Sequence, residues 1–199
     1  MKKQLSEMTL EELWHLFPII LKEYDGHWPL WYQEEEALLK AQFGQMIFRI
    51  RHIGSTSVPG MLAKPTVDIL LESVPECPAE TIRELARKSG YTVMAEAKEG
   101  TYQLDLCKGY TPDGFAEKVF HLHIRYPGDW DEPVFCDYLR RHPDCARQYA
   151  DLKMKLKTRF EHDRDGYTAA KTDFIRFWTA KAREEPDMPS QHGISEARL

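Results

Sequence analysis

The segment Thr66-Val-Asp-Ile-Leu-Leu71 is β-branched and aliphatic except for one carboxylate, Asp68. Such a run reads as a buried strand. A carboxylate inside one costs on the order of several kcal/mol unless it is paired, hydrogen-bonded or bound to a cation. Asp68 therefore either lies at an exposed strand end or serves a site. The residues before it are equally distinctive. Met46 to His52 alternates Met46, Phe48 and Ile50 with Ile47, Arg49 and Arg51, the pattern of a half-buried strand. Gly54-Ser55-Thr56-Ser57 follows at once, a turn whose hydroxyls and backbone N–H groups suit a phosphate or other oxyanion at a helix start. Pro59-Gly60 and Lys64-Pro65 then bracket a short connection to the Asp68 strand.

With 199 residues and 12% aromatics, the chain is long enough to bury one core. We expect a single domain over residues 1–183, an N-terminal helical extension over about 1–22, and a flexible tail over 184–199. The net charge of −5 argues against a general nucleic-acid surface and leaves room for a local basic pocket that takes small anions. Cys77, Cys107, Cys136 and Cys145 are widely spaced, without a Cys-x-x-Cys pair, which suits reduced buried thiols. No stretch approaches the roughly 18 apolar residues of a membrane span, and the amino terminus lacks a signal-peptide core. The expected location is the cytoplasm.

Along the chain, Thr9 and Glu12 form a capping-box pattern ahead of Leu10, Leu13, Trp14 and Phe17, and Pro18 limits that helix. Ile19-Ile20-Leu21 reads as an edge strand or a strap. A helix is expected from Trp31 to Phe43, with Leu38, Leu39 and Phe43 inward, and another from Ala79 to Ser89. Strands are expected at Tyr91–Ala95 and Tyr102–Cys107 across a Lys98–Gly100 turn, and at Val119–Tyr126 after a Tyr110–Gly114 loop. From Pro133 on the pattern is helical. One helix runs to His142-Pro143, a longer one carries Cys145, Tyr149, Leu152, Leu156 and Phe160, and the last spans Tyr167 to Ala182 with Ala170, Phe174, Phe177 and Trp178 inward.

His121-Leu-His123 puts two imidazoles on one face of a strand, about 7 Å apart. Beside the Asp68 strand, the three side chains would offer N and O ligands that suit Zn²⁺, Mn²⁺ or Fe²⁺ better than Mg²⁺. The same spacing also fits two ordinary polar-face residues. Lys64 either presents its ammonium to a phosphate at Gly54-Ser55 or is a solvated loop residue. Ser55 and Ser57 are phosphate donors or a helix cap, and His52 touches ligand or holds the turn. Asp105, between Leu104 and Leu106, reads as an edge-strand charge rather than a metal ligand. Glu72 shares Asp68's parity but lies roughly 13 Å along the strand, too far for one ion.

Gly54-Ser55, twelve intervening residues and then Asp68 resembles the nucleotidyltransferase signature, a Gly-Ser turn followed by Asp-x-Asp/Glu. The string His-Ile-Gly-Ser-Thr-Ser-Val-Pro-Gly…Lys-Pro-Thr-Val-Asp-Ile (residues 52–69) resembles the GrpB family of nucleotidyltransferase-like proteins. Further landmarks are Tyr24-Asp-x-x-Trp-Pro29, Phe120-His-Leu-His-Ile124, Trp130, Asp137-Tyr-Leu-Arg140, His142-Pro143 and Tyr167–Ile175, so the likeness covers about residues 19 to 180. The resemblance implies an α/β (α+β) fold, a mixed β-sheet flanked by helices with C-terminal helices closing the cleft. It implies metal-dependent nucleotidyl transfer to a small acceptor, with Asp68 and Lys64 catalytic. Gly54, Ser55, Thr56, Ser57, His52 and Lys171 would bind a nucleotide or other phosphorylated molecule, and Asp68, His121 and His123 a divalent metal (Mg, Mn or Zn). Lys171 and Arg140 are otherwise solvated helix residues. The chain departs from the pattern at Leu70, where a second metal carboxylate would stand, and at Arg51, where relatives often carry an acid. That leaves an inactive nucleotide- or anion-binding module, or a metal-dependent phosphoester hydrolase, as alternatives.

Overall fold

The computed structural model describes residues 3–97 and 101–185. Five strands form one mixed sheet in the order β1-β2-β5-β4-β3: β1 (Ile47–Ile53), β2 (Val67–Ser73), β3 (Thr92–Ala97), β4 (Gln103–Thr111) and β5 (Gly114–Arg125). β2 and β5 run parallel, and every other neighbouring pair is antiparallel.

Alternation along the strands gives the sheet two unlike faces. Val67, Ile69, Leu71, Leu104, Leu106, Phe120, Leu122 and Ile124 share one face and pack with Trp28, Leu39 and Phe43 of α2 (His27–Phe43) and Ile82 and Ala86 of α3 (Ala79–Lys88). Each large aliphatic side chain fully buried there contributes about 1.5–3 kcal/mol. The other face carries Asp68, Leu70 and Glu72 beside His121, His123 and Arg125, which pair in register across the parallel ladder. It is covered by α4 (Asp131–Arg141), whose Cys136 packs on Leu70 and Ile53. A second cluster joins Phe135, Tyr138 and Leu139 of α4 to Tyr149 of α5 (Pro143–Phe160) and to Phe174 and Trp178 of α7 (Thr172–Glu184), with α6 (Arg164–Ala169) between the last two helices. Helices thus flank both sides of the sheet.

Several boundaries differ from expectation. In β1 the expected inward residue Phe48 is 58% exposed. A bulge between Ile47 and Arg49 shifts the alternation, so that Ile47 and Ile50 both reach the core. α2 starts at His27, four residues early, because a proline is tolerated in the first turn of a helix. Its Glu35 is buried against Lys108 Nζ at 2.8 Å, and the expected core residue Leu38 is 42% exposed. β4 and β5 extend into a tight hairpin closed by the Thr111–Gly114 pair, where a loop was expected. The Lys98–Gly100 turn lies outside the described residues.

α1 (Leu10–Leu16) is capped as the sequence suggests: Thr9 Oγ1 accepts from Glu12 N at 3.2 Å and Thr9 N donates to Glu12 Oε2 at 2.8 Å. Residues 18–22 form a strap rather than a strand, held by Ile19 N to Glu161 O (2.8 Å) and by a single bridge between Lys22 and Ala63. The last expected helix is two helices, α6 and α7, with Ala170 and Phe177 exposed instead of inward. Glu184 still belongs to α7 and Glu185 pairs with Arg141; the rest of the expected tail, 186–199, lies outside the described residues. No helix among the described residues is long and apolar enough to cross a membrane.

Candidate functional site

β1 ends at Ile53 and the chain turns sharply at Gly54, with φ +70°, a conformation that L side chains rarely adopt. A Cβ here would overlap the Asp68 carboxylate and lie 2.9 Å from Asp68 Cβ. The glycine is therefore required by the close approach of the turn to Asp68. The turn continues as one 3₁₀ turn, Ser55–Ser57, rather than the start of an α-helix. Gly54 N donates to Cys136 Sγ at 3.1 Å, which ties the turn to α4.

The hydroxyls of the turn divide by task. Thr56 is buried, donates to Thr66 O at 3.2 Å and bonds His52 Nε2 at 3.0 Å. His52 stacks on Tyr32 of α2, and burial pushes its pKa down to about 4. These two side chains brace the turn from the α2 side of the sheet. Ser57 Oγ donates to Gly54 O at 2.7 Å and accepts from Arg140 Nη2 at 2.8 Å. Arg140 is thus a turn contact and not merely a solvated helix residue. Ser55 Oγ faces Lys153 Nζ at 3.1 Å.

On the polar face, the parallel register sets Asp68 directly beside His121. Asp68 Oδ1 lies 3.3 Å from His121 Nδ1 and 3.8 Å from His123 Nε2, and one ligand atom from each residue falls within 4.8 Å of the other two. Donors about 2.0–2.1 Å from a tetrahedral ion sit roughly 3.3 Å apart, so small shifts would close the set on one cation. His123 Nδ1 donates to Asp105 Oδ1 at 2.9 Å, leaving Nε2 turned to Asp68, and Arg125 Nη2 holds the same Asp105 oxygen at 2.6 Å. Carboxylate–histidine pairs of this kind fix the tautomer of a metal-ligating imidazole. His121 Nε2 bonds Tyr110 OH at 2.9 Å, and Arg164 Nη2 donates to that hydroxyl at 2.7 Å.

Asp105 corrects the expectation of an edge charge. β4 lies inside the sheet between β5 and β3, and Asp105 pairs in register with His123. Glu72 is engaged elsewhere, by Arg49 Nη2 at 2.9 Å and by Gly128 N at 3.1 Å. Leu70, in register with His123, is 1% exposed and offers no ligand.

The charges are strongly coupled. Burial works to raise the Asp68 carboxyl, but the hydrogen bonds and charge of His121 and His123 outweigh it and hold it far below the usual carboxylate range. Burial opposes charge on His123, yet Asp105 and Asp68 push it up to about 9. His121 is lowered, by burial first.

Beside this set, three lysines converge. Burial, then Lys171 and Arg164, bring Lys64 down to about 7; burial, then Lys171 and Lys64, bring Lys153 to about 7. Lys171 falls to about 8, through burial above all and against the pull of Asp68. Lys171 Nζ lies 4.5 Å and Lys64 Nζ 5.7 Å from the ring centre of buried Tyr167. Lys153 Nζ is 4.6 Å from the Tyr149 ring and also donates to Leu62 O. Mutual repulsion in a recessed site is relieved by a bound anion. Lys64 and Lys171 thus feel the charge of Asp68, Lys153 faces Ser55, and Asp105, Tyr110 and Arg164 complete the surroundings of the two imidazoles.

Known proteins are similar to this chain. A protein-family model described as "GrpB protein" matches residues 18–181. UPF0157 protein YqkA of Bacillus subtilis is 33% identical over 86% of this chain and 50% of its own length. UPF0157 protein BH1888 of Halalkalibacterium halodurans is 32% identical over 87% of this chain and 88% of its own. The chain thus spans about half of the first relative and most of the second. A protein named dephospho-CoA kinase in Mycolicibacterium paratuberculosis is 26% identical over 80% of this chain and 44% of its own length. The crystal structure of conserved protein GrpB from Enterococcus faecalis superposes with a TM-score of 0.67 at 29% identity, covering 82% of this chain and 96% of that one. The chain belongs to the GrpB family.

Proposed function

We propose that the protein is a metal-assisted enzyme of phosphate-ester chemistry, transferring a nucleotidyl group from a nucleoside triphosphate to a small acceptor. The observation that carries this reading is adjacency. A carboxylate and two imidazoles within reach of one ion, Asp68, His121 and His123, lie against a recessed cluster of Lys64, Lys153 and Lys171. The donor set fits Zn²⁺ or Mn²⁺ better than Mg²⁺, and three protein ligands leave coordination positions for substrate oxygens. An ion there would supply Lewis-acid polarisation of a phosphoryl oxygen. The protein's own side chains do the rest. Lys64 and Lys171 neutralise the phosphates nearest Asp68, and Lys153 with Ser55 holds the far phosphate at the turn. In the reaction, an acceptor hydroxyl oxygen bonds to the α-phosphorus as its proton passes to solvent, the α–β P–O bond breaks, and pyrophosphate leaves. A relative named dephospho-CoA kinase favours a phosphorylated small molecule as ligand.

A second reading is a binding module without turnover. Leu70, buried against Ile53 and Cys136 where a second carboxylate would stand, favours it.

Calorimetric titration of metal-stripped protein with Zn²⁺ and Mn²⁺, then with pyrophosphate, tests the site. We expect one ion per chain and a pyrophosphate affinity that the ion raises, with Asp68→Asn losing both. Absence of ion binding and of pyrophosphate binding in the folded wild type sinks the proposal. ³¹P NMR with nucleoside triphosphates sorts the chemistries. Pyrophosphate released only with an acceptor indicates transfer, phosphate released without one indicates hydrolysis, and binding without product leaves the module.

A further inference from the structure

A cleft of about 440 Å³ includes Lys64 in its wall and none of the turn residues 54–57. Its walls are Ile20 of the strap, Trp31 of α2, Phe115 and Val119 of β5, and its inner end is Lys64 and Arg164. The volume lies within the roughly 300–1,000 Å³ of small-molecule sites, which combine apolar walls with a few placed polar groups. Of its lining, Lys64 and Arg164 carry roles assigned above; the apolar walls carry none.

Three relationships join the cleft to the cation donors. Thr66, just before β2, and Val119, on β5, are both on its wall and stand two residues before Asp68 and His121. Two strand residues span about 7 Å, so the cleft ends one step from the donors. Arg164 lines the cleft and also donates to Tyr110 OH, which bonds His121. Lys64 lines it and feels the charges of Asp68 and Lys171. A molecule with phosphate at Lys64 therefore has its remaining atoms directed into the cleft or out to solvent.

The cleft's chemistry selects what enters. Asp25 and Glu117 offset Lys22 at its outer part, which disfavours a second run of phosphates there. Trp31 is half-buried with Lys118 Nζ 6.0 Å from its ring centre, and Phe115 is held against Phe17, Tyr110 and Arg164, so the aromatic surface that both leave to the cleft has little freedom to lose. Planar bases stack on such surfaces regardless of base identity. We infer that this cleft holds the organic part, a planar group of nucleoside size, of the ligand whose phosphates lie at Lys64, Lys153 and Lys171. The inference rests on the phosphate-binding reading above and adds where the ligand's other end goes.

The test compares ATP, GTP, CTP and UTP with inorganic tripolyphosphate by calorimetry on the full chain in the presence of Mn²⁺. We expect at least one nucleotide to bind about ten- to hundredfold more tightly than tripolyphosphate, the scale of one aromatic stacking contact. Trp31→Ala should bring that nucleotide to the tripolyphosphate level while tripolyphosphate binding stays as in wild type. Because Trp31 also packs on the core, a second variant fills the cleft from its exposed rim: Ala116→Trp should have the same selective effect. If no nucleotide exceeds tripolyphosphate, or if the ratio survives in Ala116→Trp, the cleft assignment is wrong and the phosphate site stands. If tripolyphosphate and the nucleotides all fail to bind, the phosphate reading falls and takes this inference with it.

Discussion

Asp105 accepts a hydrogen bond from His123 Nδ1 at 2.9 Å across the β4–β5 ladder, and Arg125 holds the same oxygen at 2.6 Å. Asp105 does not face the ion position itself, but it decides which nitrogen of His123 does. Asp105→Asn should therefore lower Zn²⁺ affinity about 10–100-fold with the fold retained. Calorimetry with Zn²⁺ reads this directly, and wild-type affinity in the variant would reduce Asp105 to a partner of Arg125 alone.

Gly54→Ala places a methyl group against the Asp68 carboxylate in a left-handed backbone conformation. The strain costs on the order of 1–3 kcal/mol, and the displaced Asp68 should lose its place in the donor set. Denaturant melts should show the stability loss and titration a lost or much weakened Mn²⁺ response. A variant that binds Mn²⁺ as wild type does would separate the turn from the carboxylate.

The lysine cluster has opposite pH signatures with and without an anion. Burial lowers Lys153 from 10.5 to about 7 in the folded chain. Between those values the unfolded chain holds a proton that the native chain lacks, so stability rises with pH. Below about pH 7 the cost of the buried charge is fully present, and it is relieved as pH rises towards 10.5. The slope is at most about 1.4 kcal/mol per pH unit for one group. Pyrophosphate needs the charged lysines, so its stabilisation should fall over the same range. Melting curves from pH 6 to 9, with and without pyrophosphate, should therefore converge as pH rises. Lys153→Met should flatten both trends, and unchanged trends would remove Lys153 from the cluster.

Leu70→Asp puts a carboxylate beside His123 on the face that holds Asp68, in a position now packed on Ile53 and Cys136. Without metal the buried charge should cost on the order of several kcal/mol. With Mn²⁺ or Mg²⁺ the added oxygen ligand should recover stability, giving a larger ion-induced rise in Tm than wild type shows. Equal ion responses in the two proteins would place residue 70 out of reach of the ion.

The strands and most helices were legible because apolar periodicity is local. The β-branched and aliphatic run Thr66–Leu71 marks β2, and Ile82, Leu85 and Ala86 mark α3. Phe48 misled because a bulge in an edge strand is set by the partner's register, which leaves no trace in the alternation itself. Among site residues, Asp68, His121 and His123 stood out as polar groups in apolar strands. Asp105 looked the same, but its meaning depended on whether β4 was an edge, and strand order is not a local property. Lys153 carries a signal that is readable in the sequence. It falls on the buried stripe Cys145, Tyr149, Lys153 at four-residue spacing, where a lysine needs a reason. Tyr110 was hidden by the tight hairpin, which turned an expected loop into paired strand.

The pairing of β2 with β5 has one more consequence. Two separate local units, the β1–β2 pair and the β4–β5 hairpin, each complete their own hydrogen bonds between neighbouring stretches of chain. Asp68 belongs to the first, His121, His123 and Asp105 to the second, with roughly fifty residues of chain between Asp68 and His121. Neither unit alone holds a cation donor set. The donors meet only when the long-range parallel pairing closes, the step whose loop entropy makes it slow relative to hairpin formation. On the function proposed above, a nascent or partly folded chain would carry separated ligands with weak hold on any ion, and metal capture would report that the sheet has closed in register.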